Sequence, residues 1–428
     1  MNDESIFVQI ASYRDPELVP TILDMFETAE KPENLKVCIC WQHDDIENLD
    51  MFKTYPNIQI IDVPYKESRG ACWARNLIQR QYNGERYTLQ LDSHHRFVQG
   101  WDTELKNMYQ QCVSMGSSKP LITSYIPAFD PLRSKETYEM VPWRMDFHTF
   151  TDESTVIFIP NLIVKHQSYT KPIPARFYSA HFAFTDGQFC EEVPHDPEYY
   201  FYGEEISISV RAFTHGYDLY HPHKVIAWHE YTRNNRMKHW DDHDSTKDIY
   251  RGYEKSWWQR DSQSQKRNRI LFGIETDNSV VIPKKYGFGK IRTLDEYERY
   301  AGIKFKTREV SLYTLSGKFA PTPYNENYVF GKNIDTSEIT TLTKNVSIPS
   351  YHFISDDVER VKIELYDSVN KVIVVQSFEK QLIKSMCQSL DVLTLTINFD
   401  ALKETSYYCK FYTFDKFDRV IHSNTLDI

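Results

Sequence analysis

Leu89-Gln90-Leu91-Asp92-Ser93-His94-His95 is an apolar strand that ends in an acid, a small residue and a histidine. Side chains alternate along a strand, so Asp92 and His94 fall on one face at its carboxyl end. A carboxylate and an imidazole placed there can both reach one divalent cation. On spacing alone, an ordinary acidic turn after a strand accounts for the stretch better. The surrounding chain has to decide between the two.

Upstream, residues 6–11 form a short apolar strand, and Asp15-Pro16 reads as an N-cap with proline at the first helical position of a helix over 18–26. Strands are expected at 35–41 and 58–63, with Ser68 capping a helix over 71–82 before a strand at 87–91. Downstream, a helix at 101–113 precedes a strand at 121–125. Strands alternating with helices predict an α/β domain with a mostly parallel sheet. Ligands of such sheets sit at the carboxyl ends of the strands, where Asp92 lies.

The pattern changes near residue 305. A helical stretch at 293–300 is followed by short alternating strands at 358–366, 371–378, 392–398 and 407–414. The expected organisation is a catalytic domain over 1–305 and an all-β, sandwich-like module over 306–428. No repeat of 20–50 residues is present.

Composition narrows the function. The 428 residues are 41% hydrophobic and 26% charged, which excludes wholesale disorder. Aromatics make up 14% of the chain, enough for a large core and for rings that stack on flat ligands. A net charge of −10 argues against a nucleic-acid partner. The longest apolar run, residues 37–41, is far short of the ~18 a membrane span needs. The first residues lack the basic and apolar parts of a signal peptide. Seven scattered cysteines without a CxxC pair read as reduced, mostly buried thiols, so a cytoplasmic location is expected.

A second histidine-rich segment, His221-Pro222-His223-Lys224-Val225-Ile226-Ala227-Trp228-His229, ends a strand-like run on His229. His229 can complete a three-residue metal shell with Asp92 and His94. His221 and His223 read as solvated loop residues. Arg233, Arg236 and Lys238 form a polar run suited to a loop closing over a diphosphate. Between the two segments, Tyr202-Gly203-Glu204-Glu205 opens a helix over 205–214. Acids favour helix N-termini in any case, so Glu204, next to the glycine, is the better candidate to touch a hydroxylated ligand.

These segments, in this order, resemble a GT-A glycosyltransferase. Asp92-Ser93-His94 is similar to the Asp-x-His metal motif of the polypeptide GalNAc-transferases, and Gly203-Glu204-Glu205-Ile206-Ser207-Ile208-Ser209-Val210-Arg211 to their acidic helix-opening segment. Ile10-Ala11-Ser12-Tyr13-Arg14-Asp15, Arg69-Gly70-Ala71-Cys72-Trp73-Ala74-Arg75 and Gly287-Phe288-Gly289-Lys290 resemble more closely the cytoplasmic GlcNAc-transferase family, which includes hydroxyproline GlcNAc-transferases. Residues 306–428 lack the Gln-x-Trp lectin repeats and disulfides of the GalNAc-transferases.

The resemblance implies a metal-dependent, retaining transferase that moves GlcNAc from UDP-GlcNAc to a hydroxyl of a protein or glycan acceptor. Mn²⁺ or Mg²⁺ would be held by Asp92, His94 and His229. Ala11, Ser12, Tyr13, Arg69, Arg75, Ser93 and His181 would contact the donor, and Arg233 would stabilise the leaving UDP. Two rivals stand beside this reading. One is an inverting transferase with Glu204 as base, or a hydrolase of a nucleotide sugar; the other is a sugar- or protein-binding module that keeps the shell without transfer. The C-terminal module is expected to act in acceptor capture or self-association.

Overall fold

Four apolar runs, β1 (Ile6–Tyr13), β2 (Leu35–His43), β3 (Ile58–Pro64) and β4 (Tyr87–Asp92), pair in parallel in the order β3-β2-β1-β4. β1 and β4 are buried along nearly their whole length because helices cover both faces. Ile6, Val8 and Ile10 pack with α1 (Leu18–Thr28) and α3 (Trp101–Ser114), while Phe7 points to the other face, with α2 (Ala71–Gln79). This period-two split sets the layers. The computed structural model describes residues 4–44, 48–232, 237–244, 255–321, 333–335, 339–349, 352, 357–367, 372–380, 392–402, 407–417 and 419–427.

The sheet continues with strands of mixed direction to eight in all. β10 (Phe182–Asp186) runs antiparallel to both β4 and β6 (Pro120–Thr123). β11 (Asp218–His221) then runs parallel to β6, and β9 (Ile173–Pro174) closes the edge. A separate two-stranded ladder pairs β5 (His95–Phe97) with β12 (Ala227–His229). A hairpin of β7 (Trp143–Phe150) and β8 (Val156–Leu162) shares a core with α5 (Glu204–Thr214) and α8 (Leu294–Ala301).

Two compact units divide the chain, Met1–Gly331 and Lys332–Ile428. The boundary thus lies after residue 305. Phe305, Val310 and Ala320 bury in the same cluster as Phe213 and Tyr297. An antiparallel pair, β13 (Ile303–Lys304) with β14 (Glu309–Ser311), leads into the short helix α9 (Leu312–Leu315). The apolar residues beyond 305 therefore complete the first core.

The described residues of the second unit are mostly β-strand, as expected. β16 (Ile339–Pro349) pairs with β19 (Val392–Leu402), and β18 (Val372–Glu379), β17 (Arg360–Asp367), β20 (Tyr407–Phe414) and β21 (Val420–Asp427) form a four-stranded antiparallel sheet. Val346 and Leu395 of one sheet meet Ile363 and Phe411 of the other in one core, which makes a sandwich. Tyr407, Cys409, Phe411 and Thr413 turn inward at every second position of β20.

Two expected caps differ. α1 begins after Glu17; Asp15 keeps a cap bond, its Oδ1 accepting from Glu17 N–H at 3.0 Å, while its Oδ2 accepts from Ser93 and His94. α2 begins after Gly70, and the Ser68 hydroxyl donates to Gln42. Among the described residues no helix is long and apolar enough to cross a membrane. Cys38, Cys40, Cys72, Cys112, Cys190 and Cys409 are buried free thiols, and Cys387 lies outside the described residues.

Candidate functional site

The carboxyl end of β4 delivers Asp92, and the next turn delivers His94. His229 arrives from the end of β12, whose antiparallel pairing sets it opposite His95. The backbone fixes this meeting: Glu230 N–H donates to the His94 carbonyl and His229 N–H to that of Pro127. Asp92 Oδ2 then lies 3.5 Å from His229 Nε2 and 3.7 Å from His94 Nε2. These separations, the shorter at the limit of a hydrogen bond, suit ligand atoms grouped around one cation. All three atoms lie within 4.8 Å of one another.

The tautomer of His94 follows from its other nitrogen. Nδ1 donates to Asp15 Oδ2 at 2.7 Å, so Nε2 carries the lone pair on the side of Asp92. Ser93 Oγ donates to the same Asp15 oxygen at 2.6 Å. Burial and the neighbouring His94 hold the His229 imidazole well below its usual range, in the neutral, ligating form. Burial pushes the Asp92 carboxyl up, but the hydrogen bond with His229 and the charge of Arg75 win, and it stays well below the carboxylate range. An ionised carboxylate and two imidazoles fit a divalent cation such as Mn²⁺ or Mg²⁺.

Arg75, on α2, is 5% exposed. It donates to Glu204 Oε1 at 2.5 Å and to Asp92 Oδ1 at 2.8 Å. It therefore bridges the start of α5 to the acid of the metal group. Two glycines permit this approach. Gly70 has φ +108° and a Cβ there would sit 2.8 Å from the Tyr200 ring; Gly203 has φ +88° and a Cβ would strike the Asn268 side chain. Glu205 accepts from Ala180 N–H at 2.9 Å and from Tyr125 OH at 3.0 Å. Burial, with the charge of Glu204 adding, pushes its carboxyl up to about 7.

A cavity opens beside these groups. It is lined by Ala11, Tyr13, Asp15, Gln42, Ser68, Gly70, Ala71, Arg75, Asp92, Ser93 and His94, and on the opposite side by Phe201 and residues 237–240. The latter belong to a segment that enters α6 (His239–Asp242), where Asp242 Oδ2 accepts from Tyr13 OH at 2.6 Å and Arg14 Nη1 at 2.7 Å. Tyr13, Phe201, His239 and Trp240 offer ring faces to a flat base. The N-terminus of α2 offers backbone N–H groups to an anion.

The expected site residues fall into three groups. Asp92, His94 and His229 converge, and Ala11, Tyr13, Arg75 and Ser93 line the cavity beside them. Ser12 is fully buried, His181 stacks on His229 with ring centroids 4.4 Å apart, and Glu204 is held under Arg75; these three do not line the cavity. Arg69 is exposed and does not line it, and Arg233 and Arg236 lie outside the described residues. His221 and His223, expected in a solvated loop, are 3% and 1% exposed, because His221 continues β11 and hydrogen-bonds the Thr123 carbonyl. The contact of Asp15 with His94 spans 79 positions, beyond any local spacing signal, so the sequence offers Asp15 only as a cap.

The fold is an α/β one whose eight-stranded mixed sheet carries the site at its strand ends. A family model described as Glycosyltransferase (GlcNAc) matches residues 5–55 and 45–307. The chain belongs to this GlcNAc glycosyltransferase family. No curated protein sequence matches it significantly. Among solved structures it is similar to GalNAc-T7 with UDP, GalNAc and Mn²⁺ (14% identity, TM-score 0.43, 69% of this chain and 54% of that one). It is also similar to Staphylococcus aureus TarS 1–349 in complex with UDP-GlcNAc (11% identity, TM-score 0.34, 64% and 77%). The longer S. aureus TarS structure covers 99% of this chain and 77% of its own, at 9% identity and TM-score 0.35. The chain spans about half the length of the GalNAc-T7 structure.

Proposed function

We propose that the chain transfers GlcNAc from UDP-GlcNAc to a hydroxyl of a protein or glycan, with retention of configuration. The observation that carries this reading is the convergence of Asp92, His94 and His229 beside a ring-lined cavity. Family membership supports GlcNAc as the sugar. A divalent cation held by Asp92, His94 and His229 would supply the charge that neutralises the leaving diphosphate.

The chain's own groups do the rest. Asp15 orients His94, and Arg75 fixes Asp92 by its second oxygen. Tyr13, Phe201 and Trp240 would hold the uracil, the start of α2 the phosphates, and Lys238 and Arg233 the developing negative charge. Glu205, with a carboxyl near neutrality, is held by Ala180 N–H and Tyr125 OH and does not line the cavity, so no sugar contact is assigned to it. Glu204 is a poor general base, since Arg75 occupies its carboxylate and it does not line the cavity. That disfavours the inverting rival. The buried free thiols support a cytoplasmic setting. The second unit would serve acceptor capture or self-association.

The test is a donor screen with Mn²⁺ over a panel of hydroxyl acceptors, read by UDP release and product mass. UDP-GlcNAc is expected to be turned over, EDTA to stop it and Mn²⁺ to restore it, with the α-linked product from the α-linked donor. Full turnover after exhaustive chelation, or a β-linked product, would refute the metal or the retaining part of the reading.

A further inference from the structure

Behind the cavity, on the far side of Arg75, three potential ligands from three elements meet in the interior. Cys72 comes from α2, Glu204 from the start of α5, and His195 from the loop after the short helix α4 (Phe189–Glu192). Their ligand atoms all lie within 4.8 Å of one another, and all three residues are buried. Neither Cys72 nor His195 lines the donor cavity.

His195 is held unusually firmly. Its backbone N–H donates to Gln79 Oε1 at 2.7 Å, and its carbonyl accepts from Asn76 Nδ2 at 2.7 Å. Its ring tautomer is settled by Gln90 of β4. The Gln90 amide nitrogen donates to the Ala180 carbonyl at 2.6 Å, so the amide oxygen faces His195 Nε2 at 2.5 Å and must accept from it. Nε2 therefore carries the hydrogen, and Nδ1 carries a lone pair. That lone pair has no hydrogen-bond partner, and His195 is 0% exposed.

Nδ1 looks at Glu204 Oε1 across 3.5 Å. Two acceptors cannot satisfy one another, and a buried acceptor left alone costs about 1–3 kcal/mol. The separation itself is informative. Two ligands held about 2.0–2.1 Å from one tetrahedral Zn²⁺ lie about 3.4 Å apart. Arg75 donates to the same carboxylate, as expected of a group that supports a ligating acid from behind.

We propose that Cys72, His195 and Glu204 form a second, structural metal site for a thiophilic divalent cation, Zn²⁺ by its sulfur, nitrogen and oxygen donor set. Coordination through Cys72 Sγ, His195 Nδ1 and a Glu204 oxygen releases the thiol proton to water and leaves the fourth position to a water. Through Glu204 the ion would fix Arg75, and through Arg75 the acid Asp92. The proposal stands apart from the transfer reaction: a chain that moved no sugar would still bind this ion.

The test uses Co²⁺, whose bond to a thiolate gives a charge-transfer absorption that Mn²⁺ at an O/N site does not. The cluster is closed to solvent, so the full chain is expressed in zinc-depleted, cobalt-supplemented medium. One cobalt per chain is expected to survive dialysis against EDTA, with the thiolate band present. Cys72→Ser and His195→Gln should each lose the band and the retained cobalt, whereas Asp92→Asn should keep both. X-ray absorption on the unaltered protein, which needs no variant to fold, should show one sulfur scatterer among nitrogen and oxygen. No retained cobalt in the unaltered protein, a shell without sulfur, or a band that survives Cys72→Ser would overturn the proposal.

Discussion

The two units of this chain solve burial in opposite ways. In Lys332–Ile428 the described interior is almost wholly apolar, with Glu364 and Thr413 its buried polar residues. Met1–Gly331 buries arginines, carboxylates and many histidines, including His94, His95, His181, His195 and His229. Buried polar groups cost stability unless each finds a partner. The first unit carries that cost at the carboxyl ends of its strands, and it has a candidate chemistry to show for it. The second unit has the regular alternation of a scaffold or docking module and no comparable cluster among its described residues.

The sharpest way to break the contrast is to remove one buried charge from each unit. Arg75→Met strands Glu204 and Asp92, and should destabilise the first unit by about 3–5 kcal/mol. Lys362→Met removes a half-buried partner of Glu364 in the second unit and should cost about 1 kcal/mol or less. Chemical denaturation of both variants checks the pair; equal losses would erase the distinction.

Acid should separate the units next. Burial lowers His221 and His243 to about 4. These rings are neutral in the folded state, and the unfolded chain takes up protons below its ordinary value of ~6.5. Their contribution is complete above that pH and is lost as pH falls from ~6.5 towards 4, by up to about 1.4 kcal/mol per unit for each ring. Neither described histidine of the second unit, His352 or His422, is fully buried. Hydrogen exchange followed by peptide mass should therefore show acid opening peptides of the first unit before those of the second.

Smaller effects sharpen the account within the first unit. Asp15→Asn leaves the ligands in place but disturbs the carboxylate that orients His94, so metal-dependent UDP binding should weaken roughly 10–100-fold. Glu205 runs the other way in pH. Its raised carboxyl stays protonated in the folded state after the unfolded chain has lost its proton, so stability declines as pH rises from 4.5 to about 7. Glu205→Gln should melt a few degrees above the unaltered protein at pH 8, with the difference closing towards pH 4.5. An unchanged melting profile would show that Glu205 is solvated.

The same contrast explains what could be read from the sequence. Strand ends announce themselves through an apolar run that stops on a polar residue, so Asp92, His94 and His229 were legible. Alternation made β20 and its neighbours legible too. Contacts between distant positions were not. Asp15 with His94, Arg75 with Glu204 and Gln90 with His195 join residues 79, 129 and 105 positions apart. Without that information Asp15 passes for a helix cap alone, Arg75 for a ligand contact alone and Glu204 for a free base. His221 and His223 pass for loop residues because β11 is only four residues long. The residues beyond 305 look like the strands of a second module in the sequence, yet Phe305, Val310 and Ala320 fill the first core.

The central claim is that Asp92, His94 and His229 together bind the cation that holds the donor diphosphate. Calorimetric titration of UDP into the full chain, with Mn²⁺ and again with EDTA, tests it on the unaltered protein and on His229→Ala. The account predicts that Mn²⁺ tightens binding at least about 100-fold in the unaltered protein. His229→Ala should abolish that gain while its melting temperature in EDTA moves by only a few degrees. A folded His229→Ala protein that binds UDP in Mn²⁺ as tightly as the unaltered one would contradict it.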